Sequence, residues 1–285
     1  MVRAAQRRNR TPEAVKARVA DIGDKSEMDG DRMSGALVPR GEEGGIRFVQ
    51  FAPQPPFDDR LIFWQKRTSD TAAAFRLLRQ RLIERGDPRI VLCTSAGRRE
   101  GKTTLAANLA MAYAELGRHR VLLLEASFRV AALGEVFGFL PPRGFAGQLA
   151  SHRTRPADPW VVVQIGTAPL YVMAAEPSAC ASCGSVIAED ARFCPMCGKK
   201  AGTGAHPMID GVMFSEAIKK FRQSFDYLIV DAPPVLASGE VNLIQDVADA
   251  IVFATRKGRT DARSLRRAIE QVAPAPVAAV ALIDD

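Results

Sequence analysis

The stretch TSAGRREGKTTLAANLA, residues 94–110, decides the fold. The apolar run before it, RIVLC, reads as a short buried strand, and the residues from Lys102 read as a helix that stops at Gly117. Strand, glycine-bearing loop, Gly-Lys-Thr and helix is the context in which a phosphate-binding loop works. Gly101 then lets backbone approach phosphate oxygens, Lys102 reaches the β- and γ-phosphates, and the Thr103 hydroxyl binds Mg²⁺. The helix N-terminus adds unpaired N–H groups and a favourable dipole. Gly97, Glu100 and Thr104 are the other expected nucleotide contacts of the loop. The first glycine of the usual G-x-x-x-x-G-K-[ST] pattern is replaced by Ala96, with Gly97 beside it.

Outward from the loop, strands and helices alternate. RVLLLEA, LYVMAA, YLIVDAPP, AIVFATR and VAAVALI read as strands; MFSEAIKKFRQSF and DARSLRRAIEQV read as helices. Upstream, TSDTAAAFRLLRQRLIERGDP places Phe75, Leu78 and Leu82 on one helical face, and Gly86-Asp87-Pro88 ends that helix. The alternation predicts an α/β fold, a doubly wound, mostly parallel sheet covered on both faces. Asp231 follows four apolar strand residues, which sets it at the C-terminal edge of the sheet beside the phosphate loop. A Mg²⁺-bound water needs an acceptor there.

CASCGSVIAEDARFCPMCGKK, residues 180–200, interrupts this pattern. Cys180 and Cys183 form one C-x-x-C pair, Cys194 and Cys197 a second, and Gly184 and Gly198 follow them. Four thiolates complete a closed tetrahedral Zn²⁺ site of the structural kind. A thioredoxin-like redox pair or an iron centre are the competing chemistries. Metal binding supplies the folding energy that so small a lobe lacks, whether it serves as a staple or as a docking module for an unidentified protein. Val186, Ile187 and Phe193 offer it a small core, and Lys199-Lys200 keep nucleic acid open as a partner. Cys93 reads as a core residue, and His119 and His152 as surface residues.

The 285 residues carry a net charge of +7, which is compatible with anionic partners and specifies none. Residues 1–60 read as a flexible arm with a short strand at IRFVQF, and residues 61–285 as the P-loop domain, interrupted by a zinc ribbon at 178–202. The arginine-rich start suits either a solvated tail or a nucleic-acid or membrane-surface arm. With no apolar run long enough to span a bilayer and no signal-peptide core, the expected location is cytoplasmic.

Together, TSAGRREGKTTLAANLA, VLLLEASFR and FDYLIVDAPPV resemble the bacterial tyrosine kinases of capsule and exopolysaccharide export, within the MinD/ParA-like P-loop ATPases. The resemblance spans roughly residues 68–285 apart from the cysteine segment. It implies ATP and Mg²⁺ as ligands, with Lys102, Glu125 and Asp231 catalytic and Arg129 supporting the site or a subunit interface. It also implies homo-oligomerisation and a membrane polysaccharide co-polymerase as partner, at the inner face of the membrane. The family's Asp-x-Asp-x-Arg is Glu125-Ala126-Ser127-Phe128-Arg129 here, and Arg98-Arg99 replace a Pro-Gly pair in the loop. The glutamate of the family's Glu-x-x-Arg-x-x-Arg oligomerisation motif is Ala73, although Arg76 and Arg79 remain. The family's C-terminal tyrosine cluster has no counterpart; Tyr113, Tyr171 and Tyr227 all fall in predicted helix or strand. Three readings follow: a tyrosine-kinase-like phosphotransferase, an ATP-binding regulator that has lost catalysis, and a ParA/MinD-like switch ATPase.

Overall fold

Nine strands form one sheet in the computed structural model, which describes residues 37–128, 131–177, 180, 182–183, 185, 187, 191–200 and 209–284. The strands are β1 (Leu37–Glu43), β2 (Ile46–Phe51), β3 (Ile90–Ser95), β4 (Val121–Glu125), β5 (Trp160–Ile165), β6 (Leu170–Met173), β7 (Tyr227–Asp231), β8 (Ala250–Arg256) and β9 (Val277–Ile283). Their order across the sheet is β1-β2-β5-β6-β4-β7-β3-β8-β9. From β6 to β9 neighbouring strands run parallel; the β1–β2 and β5–β6 pairs are antiparallel.

Strand periodicity sends alternate side chains to opposite faces. Ile90 and Leu92 of β3 enter one core, and Val91 and Cys93 the other. The second core is covered by α1 (Ile62–Gln65), α2 (Asp70–Glu84), α3 (Lys102–Ala114) and α4 (Leu133–Phe137). The first is covered by α5 (Phe145–His152), α6 (Gly211–Phe221) and α7 (Ala262–Gln271). Local chemistry fixes the helix ends: the Ser69 hydroxyl accepts from the Ala72 N–H at the start of α2, and the Asp210 carboxylate accepts from Val212 and Met213 at the start of α6.

Two expectations change. The stretch 37–60 is not an arm: the short strand expected at IRFVQF is β2, which pairs in parallel with β5 along its whole length, and Gly44-Gly45 (φ +57° and +73°) turn the chain so that β1 pairs with β2. Arg120 fastens this hairpin, its guanidinium lying 5.0, 5.4 and 5.3 Å from the rings of Phe48, Tyr171 and Phe225. The expected arm at 1–36 lies outside the described residues. His152 is buried rather than superficial, stacked 3.7 Å from Trp160 with its ring nitrogens at the Gln148 and Asp158 carbonyls.

From β3 the chain crosses over β7 to reach β4, while β8 lies on the other side of β3. The C-terminal end of β3 is therefore a topological switch point, where a crevice opens in sheets of this kind. The phosphate loop lies there.

Candidate nucleotide site and cysteine cluster

Residues 96–101 turn from β3 into α3. Gly101 has φ +91°, and a Cβ on it would lie 3.0 Å from the Ile283 side chain, so both conformation and packing demand glycine. Arg99 takes φ +62°, a left-handed backbone in the position where the family uses glycine. The Glu100 carboxylate is buried and accepts from the Gly97 N–H at 3.0 Å. This bond closes the loop on itself. Lys102 and Thr103 open α3, with Thr104 on the same first turn.

The Thr103 hydroxyl donates to Asp231 Oδ2 at 2.7 Å. Asp231 is fully buried, and its Oδ1 has no hydrogen-bond partner among the described residues. Burial holds this carboxyl above its ordinary range, offset by the Lys102 charge and the Thr103 hydrogen bond. An orphaned buried carboxylate oxygen beside a loop threonine fits a hydrated Mg²⁺, which would take Thr103 and Asp231 into its coordination sphere or onto its waters.

Glu125 lies beside Asp231 in the β4–β7 register. Its Oε1 accepts from Ala132 (2.5 Å) and Leu133 (3.2 Å), and its Oε2 from Ala175 (2.8 Å). Burial and then the Asp231 charge push it up to about 8 despite these bonds. Its carboxylate joins the start of α4 to the exit of β6. Ser127 is buried nearby in sequence, and Arg129 lies outside the described residues.

Cys180, Cys183, Cys194 and Cys197 bring their four sulfurs within 4.8 Å of one another. Sulfurs about 2.3 Å from a tetrahedral Zn²⁺ are about 3.8 Å apart. The Cys180–Cys197 and Cys183–Cys194 separations are 3.7 and 3.6 Å. Cys194 N–H donates to the Lys199 carbonyl, Gly198 N–H to the Cys194 carbonyl, and Met196 N–H to the Cys194 sulfur, the tight turn of a metal knuckle. All four are free thiols. Gly184 and Val186 lie outside the described residues. The cluster therefore has the donors and the spacing to hold a metal.

No family model matches the chain. Tyrosine-protein kinase CpsD of Streptococcus agalactiae is 23% identical over 186 residues, 65% of this chain and 69% of that protein. The kinase domain of the Escherichia coli tyrosine kinase ETK superposes with a TM-score of 0.61 at 18% identity, over 81% of this chain and 82% of that one. The chain is thus similar in sequence to one bacterial tyrosine kinase and in fold to the kinase domain of another. The septum site-determining protein MinD of Pyrococcus horikoshii, complexed with Mg-ADP, matches with a TM-score of 0.50 at 18% identity over 68% of each chain. The fold is that of the P-loop NTPases. Among the described residues no helix is long and apolar enough to cross a membrane.

Proposed function

We propose that the chain binds Mg·ATP and transfers the γ-phosphoryl group to protein tyrosine, in the manner of the cytoplasmic kinases that regulate exopolysaccharide synthesis and export. The observation that carries this reading is the Thr103–Asp231 pair with its orphaned Oδ1 at the foot of the phosphate loop. Mg·ATP supplies the transferable phosphoryl group and the charge neutralisation that the transfer needs. Gly97, Gly101 and Thr104 shape the loop around the phosphates, Lys102 binds their oxygens, and Thr103 and Asp231 hold the metal. Glu125 supports the strand ends that carry them. Arg129 is proposed to steady the site from the β4–α4 loop. The cysteine cluster is proposed to hold Zn²⁺ as a structural site that presents a protein-docking lobe. Self-association and a membrane polysaccharide co-polymerase are the partners this reading entails, at the cytoplasmic face of the membrane.

A second reading, an ATP-binding regulator without transfer, is favoured by Glu125. Three backbone N–H groups engage the carboxylate that the family's pattern assigns to the metal shell. Calorimetry with Mg·ATP, beside Lys102→Ala, tests the common ground: wild type binds, and the variant loses at least about tenfold in affinity. Absence of binding by folded wild type removes both readings. Binding without transfer to tyrosine peptides leaves the second.

A further inference from the structure

A groove of about 430 Å³ opens beside the phosphate loop, between its first half and the segment that leaves β7. Its floor is apolar, made by Ala96, Leu236 and Ala237, and the Leu236 N–H donates to the Ala96 carbonyl to fix the floor to the loop. One rim is basic: Arg259 donates from Nε to the Arg98 carbonyl at 3.1 Å, and both residues line the groove. The acids that also line the groove are engaged. Glu100 is buried on the Gly97 N–H, and Asp261 accepts from the Ser264 N–H as the cap of α7.

The charge extends beyond the rim. Residues 256–267 hold Arg256, Lys257, Arg259, Arg263, Arg266 and Arg267 against one acid, Asp261. Lys257, Arg259, Arg263, Arg266 and Arg267 are exposed, as are Arg98 and Arg99 in the loop. A single-sign field beside a concave, apolar-floored opening concentrates an anionic ligand and orients it.

We infer that this groove seats the phosphoacceptor segment, and that the segment is an acidic peptide with an aromatic side chain on the Leu236–Ala237 floor and flanking carboxylates against the Arg259 rim. The inference rests on the tyrosine-transfer reading above and names its substrate class. In the step served, a bond forms between the phenol oxygen and the γ-phosphorus, the β–γ bridging P–O bond breaks, ADP leaves, and the phenolic proton is released to water. A groove of this volume accommodates one aromatic side chain; an extended anionic surface has no use for its apolar floor.

The probes are a random Glu–Tyr copolymer, a Lys–Tyr copolymer, duplex DNA and phosphatidylserine vesicles, each titrated against the full chain by fluorescence anisotropy or sedimentation. The Glu–Tyr copolymer binds and the Lys–Tyr copolymer does not. Arg259→Glu weakens copolymer binding by about tenfold or more, and by a larger factor than it weakens Mg·ATP binding. Arg263→Glu/Arg266→Glu, outside the groove, weakens binding less and mainly at low salt. Equal copolymer binding by wild type and Arg259→Glu overturns the inference, as does Arg259-dependent binding of DNA or vesicles without copolymer binding. Arg259-dependent copolymer binding without phosphate transfer upholds the acidic-peptide groove and removes the kinase reading instead.

Discussion

Glu125 and Asp231 end neighbouring parallel strands at the same register, yet their carboxylates have opposite environments. Asp231 keeps one oxygen on Thr103 and, among the described residues, one without a hydrogen-bond partner. Glu125 has both oxygens engaged by backbone N–H groups from two returning segments. A glutamine at 125 keeps one accepting oxygen and turns an NH₂ group toward a backbone donor. Glu125→Gln is therefore expected to destabilise the fold by about 1–3 kcal/mol, the cost of a buried donor left unmatched. Urea unfolding monitored by circular dichroism checks this; an unchanged midpoint and slope would remove the supporting role. The residue type was legible in the sequence as a departure from an aspartate pattern. Its bonding was not, because the Ala175 donor arrives 50 residues later along the chain.

At the scale of elements, α2 and α3 are joined by charge as well as by apolar packing. Both Arg76 Nε and Nη2 reach the Glu115 carboxylate at 2.7 Å, Arg67 joins at 2.9 Å, and the Arg76 guanidinium lies 5.0 Å from the Phe63 ring. Arg79 donates to the Ala112 carbonyl. The two arginines that the family pattern assigns to oligomerisation are thus engaged within one chain. The Arg76 hydrogen bonds, with help from Arg67, pull Glu115 down to about 2 from an ordinary 4.5. A depressed carboxylate contributes stability above its unfolded value and loses it as the pH falls through the folded one. Glu115→Gln should lower stability at pH 7 by about 1–2 kcal/mol, and the deficit should fade between pH 4.5 and 2. Thermal melts of both proteins across that range measure it; a deficit independent of pH would mean the loss comes from packing. Helices α2, α3, α6 and α7 were legible and the short α1, α4 and α5 were not; six of the seven strands from β3 onward were legible because a buried parallel strand is a short apolar run bounded by turns. Trp160–Ile165 obeys the same rule and escaped the sequence reading, although Val161-Val162-Val163 carries the signal. β1 was not legible: LVPRGEE is polar and exposed, and only its pairing with β2 makes it a strand.

On the scale of the whole molecule, the four-cysteine segment lies in the crossover between β6 and α6. Its host roots are tied down independently of the metal. Glu176 accepts from the Gly144 N–H at 3.0 Å, in a space so close that a Cβ on Gly144 would lie 2.2 Å from it. At the other root Asp210 caps α6, behind a buried Ile209. Among its described residues the segment exposes Phe193 and Met196, so a metal on the sulfurs is expected to contribute most of its order. The purified chain should carry about one Zn²⁺, released by a thiol-blocking mercurial and absent from Cys183→Ser/Cys194→Ser. Removal of the metal by a chelator should abolish amide-exchange protection within residues 191–200, while the amides of β3, β4 and β7 keep theirs, because the four cysteines lie outside the strands of the sheet. Hydrogen exchange read by mass spectrometry before and after chelation decides the matter. Loss of protection in the sheet would make the metal a support of the whole fold, and unchanged protection in the lobe would mean that the thiols alone hold it together.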